Sequence, residues 1–174
     1  MHVWVGFIMF LSMGLELWLA SLGICMPFTF LCVFYFTLVY GWRRTVLYSS
    51  AYSVLFELSL GRHFPFMLFV GFLVMGSASI WRRYGNLRSF YAQIVPGFCV
   101  GAMAALSNLL YIVYASLMQA GCIFNFSLSP LLMLMLSGAL LFPVYSVFLD
   151  VFAYRLNYRR YRFAYNLDEG EQDG

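Results

Sequence analysis

The sequence predicts an all-α polytopic membrane protein with six transmembrane helices, on three observations. Hydrophobic residues fill 63% of its 174 positions and charged residues only 10%, whereas soluble domains are roughly a quarter charged. Between Arg88 and Asp150 no charged residue occurs, a run long enough to cross a bilayer twice at about 20 residues per helix. The arginines, finally, recur at alternate helix ends. The segments are apolar on all sides rather than alternating, which argues against a barrel of strands.

Cutting the chain where charge, Pro and Gly interrupt apolar runs gives spans near 3–22, 27–42, 45–60, 65–81, 91–118 and 130–152. The first lacks a Lys/Arg-rich start, and no small-residue cleavage site follows it, so it reads as a retained helix. Ile24 before Cys25 also rules out a lipoprotein signal, which needs a small residue there. Pro27 opens the second span. The third and fourth are near the lower length limit for crossing. Pro96 starts or kinks the fifth, and Pro143 kinks the sixth.

Arg43 and Arg44 follow the second span, Arg82, Arg83 and Arg88 the fourth, and Arg155, Arg159, Arg160 and Arg162 the sixth. Nine of the ten basic residues therefore share one side, and only Arg62 is left on the other. By the positive-inside rule the arginine side is cytoplasmic, with both termini inside and short outer connections near 23–26, 61–64 and 119–129. Merging or losing a span would scatter the arginines over both faces. Residues 1–153 form the membrane domain on this reading. Residues 154–174 form a cytoplasmic tail, basic and aromatic in YRLNYRRYRFAY, which lies on anionic membrane lipids, then acidic and disordered in NLDEGEQDG.

Charge inside a membrane costs about 2.5–3.5 kcal/mol at mid-helix, so Glu16, Glu57 and Asp150 each call for a reason. Ser49, Ser53 and Glu57 recur every four residues on one face, where small side chains allow another helix to approach. Three roles remain open for Glu57: snorkelling to pair with Arg62 or His63, pinning the helix end to the following turn, or serving as a proton or substrate site. Glu16 lies deeper and either finds a partner from another helix, Arg62 or a hydroxyl, or lies protonated, with a transport role as the alternative. Asp150, near Arg155, reads as an interfacial anchor. Gly97, Gly101 and Ala105 form a GxxxGxxxA ridge with Asn108 just beyond, suited to close packing within the chain.

Catalysis finds little to build on. The histidines are His2 and His63, with no HExxH, GxSxG or paired-Asp pattern, and no segment offers a metal-ligand set, so neither enzyme nor cofactor is expected. Cys25, Cys32, Cys99 and Cys122 show no CxxC spacing and read as packing residues. Nucleic acid is excluded, because the basic residues form a membrane-flanking belt.

Around Glu57 the chain resembles the MreD family of the bacterial rod-shape system. Ser49 and Ser53 match that family's small residues, Glu57 its acidic residue and Gly61 the glycine four positions on. Glu57 stands where Asp is usual, and Phe64-Pro65 where an apolar-Gly pair is usual. The likeness in layout runs from about residue 3 to 160. It implies a non-enzymatic inner-membrane scaffold that binds MreC and, through it, RodA and a penicillin-binding synthase, with MreB filaments on the cytoplasmic side. MreD is also similar to the six-helix substrate-binding subunits of ECF vitamin transporters, which supplies the alternative function. On the scaffold reading, Glu57 and the Gly61–Pro65 turn fix the outer end of the third helix: Glu57 accepts hydrogen bonds from freed backbone N–H groups, Gly61 permits the turn and Pro65 starts the next helix.

Overall fold

The computed structural model describes residues 2–61, 65–84, 93–118 and 128–155, and among them it is wholly helical. Six helices follow in order: α1 (His2–Ser21), α2 (Phe28–Tyr40), α3 (Trp42–Ser59), α4 (Phe66–Tyr84), α5 (Ile94–Met118) and α6 (Ser129–Arg155). Four of them, α1, α4, α5 and α6, are long and apolar enough to cross a membrane. Their outward faces carry large apolar side chains such as Phe10, Trp18, Leu136 and Leu140, each more than half exposed. Patches of that extent belong against lipid rather than water.

The helix at the centre is the shortest. α2 has 13 residues, about 20 Å at 1.5 Å per residue, and every residue from Thr29 to Leu38 is buried. It touches all five other helices. An all-apolar sequence without an amphipathic stripe predicts such surroundings, since no face of it would be better placed in water. Phe34 meets Phe142 of α6 edge to face at 5.2 Å between ring centres, and Thr37 returns its hydroxyl to the Val33 carbonyl at 2.7 Å.

The second and third spans are separated by less than the sequence suggests. Arg43 and Arg44 lie in the first turn of α3 rather than in a linker, and Gly41 alone divides the two helices. Gly41 takes φ 79°, a left-handed value that a side chain would oppose, and its N–H closes α2 on the Thr37 carbonyl at 2.9 Å. The exposed arginines pay little for sitting in a first turn, where the helix dipole disfavours cations by under about 1 kcal/mol.

Close approach of backbones sets the rest of the packing. On α3, Ser49 and Ser53 face Gly71 of α4, and a methyl added to that glycine would lie 3.4 Å from each hydroxyl. The expected small-residue face of α3 thus has α4 as its partner. The α5 ridge packs within the chain, also as expected: Gly97 and Gly101 meet Gly138 of α6, and a methyl on Gly138 would sit 2.5 Å from the Gly97 carbonyl oxygen. Pro96 falls in the first turn of α5 and Pro143 inside α6. Ser146, a turn after Pro143, donates to Gln93 Oε1 at 2.6 Å, tying α6 to the start of α5.

The helices run so that each end of the bundle has its own chemistry. At one end the exposed Arg82 guanidinium reaches Gly41, where an added methyl would meet it at 3.2 Å, so the α2–α3 break and the end of α4 lie together. Arg43, Arg44, Arg82 and Arg83 are all exposed there. At the other end lie the α1–α2 and α3–α4 turns and two carboxylates. The tail beyond Arg155, Cys122, Arg62 and His63 lie outside the described residues.

Candidate functional site

The first N–H groups of any helix have no partner within it. At α4 one of them, Met67 N–H, donates to Glu57 Oε1 at 2.6 Å. The carboxylate comes from the preceding helix rather than from an ordinary capping position. Gly61, at φ 65°, turns the chain back, and Pro65, which needs no acceptor for a missing N–H, stands directly before α4. Glu57 is only 4% exposed, so this hydrogen bond is formed away from water. Its Oε2 finds no hydrogen-bond partner among the described residues. Glu57 thus ties the end of α3 to the start of α4, whereas any contact with Arg62, His63 or Phe64 lies outside the described residues.

Glu16 repeats the device. Its Oε2 accepts the N–H of Thr29, the second residue of α2, at 2.7 Å. The donor comes from another helix, as expected, and is a backbone amide at a helix start; Arg62 lies outside the described residues. The turns that carry the two clasps spell the same pattern, Gly23-Ile24-Cys25-Met26-Pro27-Phe28 and Gly61-Arg62-His63-Phe64-Pro65-Phe66. Both glycines have positive φ, 77° and 65°. In each case the residue after Pro-Phe gives its N–H to a glutamate of the helix before. This GxxxPF recurrence was legible in the sequence as a repeated string, and only the position of its glutamate, seven residues ahead of the glycine in one copy and four in the other, obscured it.

A cavity of about 160 Å3 opens between the two clasps, with Glu16, Cys25, Phe56, Met67, Asn108 and Leu134 in its walls. The structure thus brings Glu16 and Asn108 together, and sets Glu57 behind the wall that Phe56 and Met67 form. Pockets that hold drug-sized ligands run from about 300 to 1,000 Å3, so this one takes only a few heavy atoms or water. Among the described residues no three His, Cys, Asp or Glu side chains gather to hold a metal ion.

The remaining candidates lie elsewhere. Gly97 and Gly101 are consumed in the α5–α6 contact. Asp150 sits toward the opposite end, where Tyr35 of α2 donates its hydroxyl to Oδ1 at 2.5 Å. This contact ties α6 to the central helix, because the 1% exposed Tyr35 needs an acceptor inside the bundle. Nothing in the local sequence of either residue signals the pairing. Tyr35→Phe is expected to lower bundle stability by about 1–3 kcal/mol, and Asp150→Asn, which keeps an acceptor, by less; denaturant titration in detergent measures both. A second tie joins Ser12 of α1 to Tyr145 of α6 at 2.6 Å.

No family model, curated protein or solved structure matches this chain.

Proposed function

We propose that this chain is a non-enzymatic, multi-pass component of the bacterial inner membrane, acting as an MreD-like scaffold of the elongation machinery. Six helices cross the membrane with both termini in the cytoplasm, the short α2 being sheltered by its neighbours. The scaffold binds an MreC-type bitopic protein and through it RodA and a penicillin-binding synthase, with MreB filaments at the arginine end.

One observation carries the reading: the glutamates of α1 and α3 are both engaged in holding helix starts, Glu57 on Met67 N–H and Glu16 on Thr29 N–H. Glu57 and Gly61, the residues through which the chain resembles the MreD family, are parts of that clasp, so their chemistry is accounted for by architecture, with no reaction required. The cavity beside Glu16 and Asn108 favours a second reading, the substrate subunit of an ECF-type transporter. Its volume, about 160 Å3, is small against the pockets that enclose vitamin-sized ligands, which leaves the scaffold ahead.

Affinity purification of the tagged protein from mild detergent, with co-purifying chains identified by mass spectrometry, tests the reading. Recovery of a bitopic coiled-coil protein, with or without cell-wall synthases, is the expected result. Recovery of an ATPase module with its coupling subunit, or of a tightly held small molecule alone, would overturn it in favour of transport.

A further inference from the structure

Along the arginine end, α4 and the start of α3 enclose a groove of about 620 Å3, within the range of ligand sites. Phe72, Met75, Gly76, Ile80 and Arg83 line it from α4, at spacings of three and four that keep them on one helix face. Trp42, the first residue of α3, lines the facing side. Polarity changes along its length: the deep part is aromatic and aliphatic, and the part at the bundle end carries the Arg83 guanidinium and the Trp42 indole. Gly76 makes the floor, since nothing lies within 4 Å of where its side chain would be.

We propose that this groove binds one anionic phospholipid, its headgroup phosphate on Arg83 beside Trp42 and one acyl chain laid over Gly76 against Phe72, Met75 and Ile80. The charge of the site selects the ligand. Arg83 lines it and is exposed, and among the described residues no carboxylate lines it. A guanidinium matches phosphate oxygens in a planar, two-pronged contact, and basic pockets at the cytoplasmic ends of membrane helices bind lipid headgroups in this way. Tryptophan at the same depth suits the boundary between headgroup and chain. Arg82 is held against Gly41, which leaves Arg83 as the arginine of α4 that faces the groove. The proposal is independent of the scaffold reading.

Native mass spectrometry of the full chain, released from detergent containing equal phosphatidylglycerol and phosphatidylcholine of the same chain length, tests it. One phosphatidylglycerol is expected to stay on the wild-type protein in preference to phosphatidylcholine. Gly76→Leu fills the floor without touching a charge and is expected to abolish that retention; Ser79→Leu fills the groove from the next turn, so the test survives if either variant fails to fold. Arg83→Ala is expected to weaken retention about fivefold, the factor equivalent to the ~1 kcal/mol of one basic residue at an anionic surface, while Arg44→Ala, outside the groove, leaves it unchanged. Equal retention of the two lipids, full retention by a folded Gly76→Leu or Ser79→Leu protein, or an Arg44→Ala effect matching that of Arg83→Ala would overturn the proposal and point to diffuse surface charge.

Discussion

Gly138→Ala is expected to destabilise the bundle by about 3 kcal/mol, the upper part of the range for overpacking a filled interior. The new methyl would lie 2.5 Å from the Gly97 carbonyl oxygen, 2.9 Å from the Gly101 Cα and 3.0 Å from the Gly101 N. All three are backbone atoms, so no rotamer can yield, and α5 must move away from α6 as a whole. Between membrane helices that separation is expensive, because lipid is as apolar as the side chains and association rests largely on close packing. Gly14→Ala makes the control: nothing lies within 4 Å of its added methyl, and removing a mid-helix glycine there should leave stability unchanged or raise it by about 0.5–1 kcal/mol. Unfolding of the purified variants by SDS, followed by loss of helical circular dichroism, compares them. If the two alanines behave alike, the glycine contact does not hold α5 to α6.

Glu57→Leu should be the second most damaging change. It leaves the Met67 N–H without its acceptor in a site where Glu57 itself is 4% exposed, a loss of about 1–3 kcal/mol for an unsatisfied buried group. Glu57→Gln keeps the shape and an acceptor oxygen, and its folded yield by fluorescence size-exclusion chromatography is expected to lie between wild type and leucine. The same change at Glu16 should cost less. Glu16 is only half buried and borders the cavity, where water can take over the Thr29 N–H. Equal losses from Glu57→Gln and Glu57→Leu would show that the negative charge itself is required, and the clasp would then be a lesser part of Glu57's role. Wild-type yield from Glu57→Leu would remove the clasp altogether.

These two predictions also mark where sequence reasoning was sufficient. The Gly97/Gly101 ridge announced close packing, since a repeat of small residues every four positions can serve little else. It did not announce Gly138, a lone glycine in α6 whose importance comes from lying opposite two others. The residues alone left three roles open for Glu57, and it was the family resemblance that joined Glu57, Gly61 and Pro65 into one device. The twin at Glu16, Gly23 and Pro27 spans one more helical turn, and a glutamate seven residues from its glycine does not look like the same motif until both amides are seen to point at carboxylates. At Asp150 the nearest charges in sequence are arginines, and nothing local signals the Tyr35 hydroxyl that reaches it from a helix more than a hundred residues away.

What the sequence by itself determined is the medium and the material: an all-helical chain apolar enough for a membrane, read there as six spans where four of the helices are long and apolar enough to cross, with arginines gathered at helix ends. Those properties depend on composition and on local periodicity, and both are written in consecutive residues. Only the tertiary structure decided that the 13-residue α2 is the hub touched by every other helix, and that Glu16 and Glu57 each hold a helix start. It also decided that Gly76 and Arg83 share a groove with Trp42. The reason is physical. In a chain apolar on all sides, the hydrophobic pattern ranks no helix face above another, so partners are chosen by where small residues let backbones meet and where a buried amide needs an acceptor.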